Sequence, residues 1–246
     1  MPTQGLVVHA GAQRIGRQDL PAIITPEATN THKPIPHATL VETILESLAY
    51  RQLQVVRDEY AVSGDGMRLF GFLEVNIEHG GVRLALVFRN SHDKSFSLGL
   101  LAGYRTFCCD NLAFDGEFIA IAKKHTKHVD LEEVVGLGVD KVQRHFQKVT
   151  ATLDAWRDHE LPDANAKAVI YDAFVAGQLD VSKRLAPDVH RFYFEPEHDE
   201  FRPRTFYSLS NAFTSAFKTL EPVRLMEATA KLAPFLAQYP HPHATQ

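Results

Sequence analysis

The chain has 246 residues, 45% of them apolar, which is enough to bury a core as one large domain or two small ones, and a single domain is expected. A formal net charge of −4 excludes a protein coated in positive charge, so any contact with nucleic acid has to come from a local basic patch. The first eighteen residues lack the apolar core of a secretory signal, and no later apolar run approaches the roughly twenty residues of a membrane helix, so the chain reads as cytoplasmic and free of the membrane.

Residues 1–36 are rich in Pro, Thr, Gly and Asn without a sustained period, and read as an irregular arm suited to oligomer contact. Thr39 with Glu42 three residues later forms a capping box, and the stripe Leu40, Ile44, Leu45 and Leu48 predicts a helix to about Tyr50. The apolar spacing then switches to alternation. A first strand covers 53–62, and Asp65-Gly66 supplies a tight hairpin. The second strand sets Met67, Leu69, Leu73, Val75 and Ile77 on one face and Arg68, Glu74, Asn76 and Glu78 on the other. Gly80-Gly81 turns into a third strand, with Val82, Leu84, Leu86 and Phe88 inward and Arg83 and Arg89 on the opposite side. After an Asn90-Ser91-His92-Asp93 turn, a fourth strand runs over 96–109.

From Asp130 the period is helical again, through Leu131, Val135, Val139, Val142, Phe146, Val149, Leu153 and Trp156. Gly136 and Gly138 weaken the first turns, so the regular helix is expected after them. Asp163 and Asp180 look like caps for helices over 164–176 and 181–189, and two more follow at 205–219 and 222–237. Pro240 and Pro242 end the pattern and leave 240–246 as a flexible tail. The predicted class is α+β: an N-terminal helix, a four-stranded antiparallel β-meander and a helical C-terminal half, in one domain spanning 37–239.

No phosphate-binding glycine motif is present, since Gly136-Leu137-Gly138 lacks the third glycine and follows no strand. In Cys108-Cys109-Asp110-Asn111 a thiolate nucleophile would need a neighbouring base and a positive setting; small buried side chains at a strand end are the better reading. The two cysteines point to opposite strand faces, which disfavours a disulfide between them. His125 and His128 are spaced for one helix face, but a zinc site needs more ligands, and neither metal nor cofactor is expected. No acidic residue stands two before a lysine in the strands, which counts against a nuclease built on that pattern. The remaining candidates are basic and polar groups for phosphate contact: Arg83, Arg89, Asn90, Arg105, Asn111, Lys123, Lys124 and Lys127.

The segments Phe88-Arg89-Asn90-Ser91-His92-Asp93 and Arg105-Thr106-Phe107-Cys108-Cys109-Asp110-Asn111, with the His125 region, resemble the phage- and plasmid-encoded proteins grouped as domain of unknown function 932. Ser208-Leu209-Ser210-Asn211-Ala212-Phe213-Thr214 is similar to that family's Asn-Ala-Val-Thr helix segment, without the family's Trp, and the likeness spans residues 40–220. It implies a mobile genetic element as setting and transfers no functional residue. The helix-plus-meander core is also similar in outline to that of single-strand annealing proteins. Three readings follow. The first is a nucleic-acid-binding accessory protein that holds or anneals single-stranded DNA, assembled as a homo-oligomer. The second is an interaction factor that inhibits or diverts a host protein. The third is an enzyme with a polar pocket near His92 and Asn111.

Overall fold

A computed structural model describes residues 12–30, 32–106, 111–114, 130–220 and 222–239. These fall into two compact units, the first drawn from the described residues within 12–78, 83–104 and 130–146 and the second from those within 79–82, 105–114 and 147–239. The strands are β1 (Ala12–Ile15), β2 (Val55–Ser63), β3 (Arg68–His79), β4 (Val82–Ser91), β5 (Gly99–Thr106) and β6 (Asn111–Phe114). Among the described residues these six follow chain order in one sheet, with β1–β2 and β2–β3 antiparallel. The helices are α1 (His37–Tyr50), α2 (Leu131–Asp158), α3 (Asp163–Phe174), α4 (Ala186–Phe194), α5 (Phe206–Phe217) and α6 (Pro222–Leu236). The α+β class is as expected, and among the described residues no helix is long and apolar enough to cross a membrane.

In the first unit, α1 buries Leu40, Val41, Ile44 and Leu48, a stripe at helical spacing. It begins two residues before Thr39, with Pro36 at the N-cap and no side-chain cap, so the expected capping box does not form. His37, at the first helical position, is instead tied to the sheet by its ring nitrogens. The arm also differs from expectation: Ala12–Ile15 adds an edge strand to β2, with Ala12 opposite Ser63 and Ile15 opposite Tyr60. A 3-10 turn over Arg17–Ala22 then buries Leu20. Four residues such as Ala-Gln-Arg-Ile carry too little alternation to announce a strand; the free edge of β2 recruits them.

The meander is covered more fully than a two-faced pattern suggests. Leu84 to Phe88 are buried on both faces of β4, as in a strand with layers on either side. Glu74, assigned to a polar face from its spacing, is 2% exposed and accepts from Arg83. Gly71 lets β3 pass under the Phe88 ring, since a Cβ there would lie 2.0 Å from Phe88 Cζ. The long helix α2 starts at Leu131 rather than after Gly138. Asp130 Oδ1 accepts from the Glu133 N–H, and the Gly136 carbonyl accepts from Arg51, whose Nε also reaches Asp140 at 2.6 Å. These bonds outweigh the low helix propensity of the glycines.

In the second unit α5 is buried along nearly its whole length and packs against α4 and α6. Phe213 at its centre stacks on Phe174 at 5.7 Å and meets Phe217 and Phe235. Its polar side chains are absorbed locally. Thr205 caps the helix through the Ser208 N–H, Asn211 donates to Tyr207 O, and Thr214 donates to Asn211 O. The turn of residues 79–82 belongs to this unit. Arg157 donates to Asp154 at 2.8 Å and to the Gly80 carbonyl, with its guanidinium 4.0 Å from the Tyr207 ring centre.

Candidate functional site

The end of β4 departs most from its expected form. Asn90 and Ser91 are the last residues of the strand rather than a turn, and Asn90 is 0% exposed and His92 4%. Asn90 Nδ2 donates to the Ile35 carbonyl at 2.8 Å and to His37 Nδ1 at 2.9 Å. His37 Nδ1 is therefore an acceptor and Nε2 carries the proton, which it donates to Gly66 O at 3.1 Å. His92 Nε2 donates to Ile35 O at 2.9 Å, and His32 Nε2 donates to His92 O at 3.2 Å. The His37 and His92 rings stack at 3.9 Å, nearly parallel. Burial pushes the His92 pKa down, against the pull of the Ile35 carbonyl and Asp93, so the ring is neutral in the folded chain.

Beyond His92, Asp93 accepts from the Ser95 N–H at 2.9 Å and from Arg68 at 2.8 Å. Partial burial works to raise its pKa, but these bonds prevail and hold it at about 2. Three histidines and an asparagine thus pin the chain from His32 to His37 onto the sheet end and the β2–β3 hairpin. With its rings sealed and tautomers fixed, this cluster is a clamp. Among the described residues no group of three His, Cys, Asp or Glu side chains is placed to hold a metal.

The basic candidates have different surroundings. Arg83 is held by Glu74 at 2.8 Å and Glu78 at 3.2 Å. Arg105 is half-buried in β5, and Asn90 belongs to the clamp. Asn111 lies in β6 in the second unit, and Lys123, Lys124 and Lys127, like Cys108, Cys109, His125 and His128, lie outside the described residues.

Arg89 has a neighbourhood the sequence did not announce. Its guanidinium lies 5.0 Å from the Phe96 ring centre, and Phe96 meets Phe70 at 5.4 Å in a tilted pair. All three residues are half-buried. Ser91 Oγ builds this stack by donating to Phe96 O at 2.8 Å and accepting from Phe96 N at 3.3 Å, which closes the loop after β4 and returns Phe96 beside the strand. Burial lowers the Arg89 pKa from its ordinary value, yet a guanidinium stays charged at neutral pH. Phe70 and Phe96 are 26 residues apart in sequence and share no spacing signal.

Fold and sites together define an α+β protein with an antiparallel meander, a buried histidine clamp and an arginine–aromatic surface stack in its first unit. Residues 28–233 match the family described as Domain of unknown function (DUF932), and the chain belongs to that family. No curated protein and no solved structure matches it.

Proposed function

We propose that this protein is a nucleic-acid-binding accessory protein of a mobile element that holds single-stranded DNA, and that the Arg89–Phe96–Phe70 stack is its base platform. Half-buried aromatic rings beside a guanidinium offer what an unpaired base needs: a π face to stack on and a positive charge for the adjoining phosphate. The same aromatics are of little use to duplex DNA, whose bases are already stacked. The order of helix, meander and long helix, similar in outline to single-strand annealing proteins, supports the same reading.

The test is a fluorescence-anisotropy titration of labelled single-stranded and duplex oligonucleotides over a salt series. Single strands should bind more tightly, with affinity falling as salt rises. Phe96→Ala and Arg89→Ala should each weaken binding about 5- to 100-fold, the measure of one lost stacking contact. Absence of binding at low salt, or Phe96→Ala binding like wild type, would refute the reading.

One observation favours the host-protein alternative. Tyr50 and Leu137 are 87% and 54% exposed in the first unit, and Arg51, bonded to Gly136 O, brings their chain segments together. If this apolar surface serves a protein partner, Tyr50→Asp with Leu137→Asp abolishes that association in analytical ultracentrifugation and leaves affinity for single strands unchanged.

A further inference from the structure

In the second unit, α3 is apolar on two opposite sides. Its inner side is Ala166, Val169, Ile170, Ala173 and Phe174, all buried. Its outer side is Ala164, Ala168, Tyr171 and Val175, all exposed, with Tyr171 at 58% and Val175 at 53%. A surface helix ordinarily turns charged and polar residues outward, and a helix apolar on both sides is one that a further layer covers. Val175, the C-cap, keeps right-handed helical backbone and donates its N–H to Tyr171 O, so the outer stripe is continuous along the helix.

Charge names the occupant. The stripe steps by four, three and four residues, the alternation of the core positions of a coiled coil. Lys167 comes directly before one core position, Ala168, and Asp172 directly after another, Tyr171, so at about 100° per residue the two stand on opposite flanks of the stripe. From these flanks side chains reach across to a partner helix. When two copies of α3 lie parallel, Lys167 of one protomer faces Asp172 of its partner, and the two-fold axis repeats the pair. When they lie antiparallel, lysine faces lysine and aspartate faces aspartate. Both side chains are available. Lys167 is exposed, its Nζ 5.3 Å from the Phe194 ring centre, and has no ion-pair partner among the described residues. Asp172 Oδ2 accepts from the Tyr239 hydroxyl at 2.8 Å, which orients the carboxylate and leaves Oδ1 for a second donor.

We infer that α3 is a self-association surface, on which a second copy of this chain docks its own α3 in parallel about a two-fold axis. Tyr171 and Val175 pack against their counterparts, Ala164 and Ala168 let the backbones approach, and two Lys167–Asp172 ion pairs flank the seam. One helix face is smaller than the roughly 800 Å² per partner of a standard interface, so the dimer is weak, with a Kd of about 10–100 μM. The surface is independent of the aromatic stack and of the DNA-binding reading.

The test is sedimentation velocity of the full chain from about 1 to 500 μM. Wild type should pass reversibly from monomer to dimer, and Tyr171→Glu with Val175→Glu should stay monomeric throughout. Lys167→Glu and Asp172→Lys, each alone, turn two attractive pairs into two repulsive ones and should weaken self-association about tenfold. Mixed in equal amounts, these two variants should associate as wild type does, because every charge then meets its opposite. Circular dichroism of the variants at the exposed Lys167, Tyr171 and Val175 should match wild type. If Asp172→Lys does not fold, having lost the Tyr239 bond, Asp172→Asn takes its place and should bind Lys167→Glu more tightly than Lys167→Glu binds itself. A wild type that is monomeric at every concentration, a dimer that survives the Tyr171 and Val175 changes, or single charge variants that self-associate as wild type does would overturn the inference.

Discussion

Asn90→Ala is the sharpest probe of the histidine clamp. The substitution removes two bonds, at 2.8 Å to Ile35 O and at 2.9 Å to His37 Nδ1. The two losses differ in kind. Ile35 O keeps the His92 ring at 2.9 Å and is not orphaned, so that loss is worth about 1 kcal/mol. His37 Nδ1 becomes a buried acceptor without a donor, at about 1–3 kcal/mol. Asn90 Oδ1 has no partner in the folded chain, and deleting it returns about 1 kcal/mol. The expected destabilisation is therefore about 2 kcal/mol. Asn90→Asp should cost more despite its equal size, because it replaces a donor facing two acceptors with a third acceptor. Urea unfolding followed by far-UV circular dichroism measures the change. Hydrogen exchange should show lost protection in residues 32–37. The chain's single tryptophan, Trp156, belongs to the second unit, so its fluorescence serves as an internal control. A change below about 0.5 kcal/mol for Asn90→Ala, or Asp tolerated better than Ala, would refute this account of the clamp.

Gly71→Ala should destabilise by about 1–3 kcal/mol, because the new Cβ lands on the Phe88 ring; Phe88→Leu should restore part of that loss in the double variant, and additive effects would refute the contact. His92 has a lowered pKa in the folded chain, so the unfolded chain binds its proton more readily. Its contribution is fully present above about pH 6.5 and is lost as pH falls from there toward the folded-state value. Stability measured from pH 7 to 5 should fall with a steeper slope in wild type than in His92→Gln, and a His92 NMR resonance titrating at or above 6.5 would contradict the burial argument.

Local pattern anticipated a good part of this molecule. The stripe of α1, the Asp65-Gly66 hairpin, the alternation through β3 and β4 and the period of α2 are all written in neighbouring residues. The structure places α1, β3, β4 and α2 where they were expected, although α2 starts at Leu131 rather than after Gly138, and the helix expected over 181–189 begins only at Ala186, behind a 3-10 turn capped by Ser182 rather than Asp180. The edge strand β1 was not legible, because four residues carry no period and only the open edge of β2 gives them a partner. Glu74 was misplaced because alternation assumes one wet face, whereas the middle of β3 and β4 is covered on both.

The candidate sites were less legible still. Asn90 and His92 stood out in the sequence as a polar turn suited to chemistry or phosphate. His32 and His37, which convert them into a sealed clamp, carried no signal. Phe70 and Phe96 were equally silent, since side chains 26 residues apart meet only when Ser91 folds the loop back onto the strand.

The sequence by itself determined the class of fold, the order of the periodic elements from α1 onward and the residue types available for function, because periodicity and turn chemistry act over a few residues. Tertiary structure alone decided which polar groups are buried and satisfied and which are left open. Arg83 is neutralised by Glu74 and Glu78, Asn90 is sealed beneath α1, and Arg89 lies against an aromatic ring. The physical reason is that burial and partnership depend on segments far apart in the chain, and no local pattern records which of them will meet.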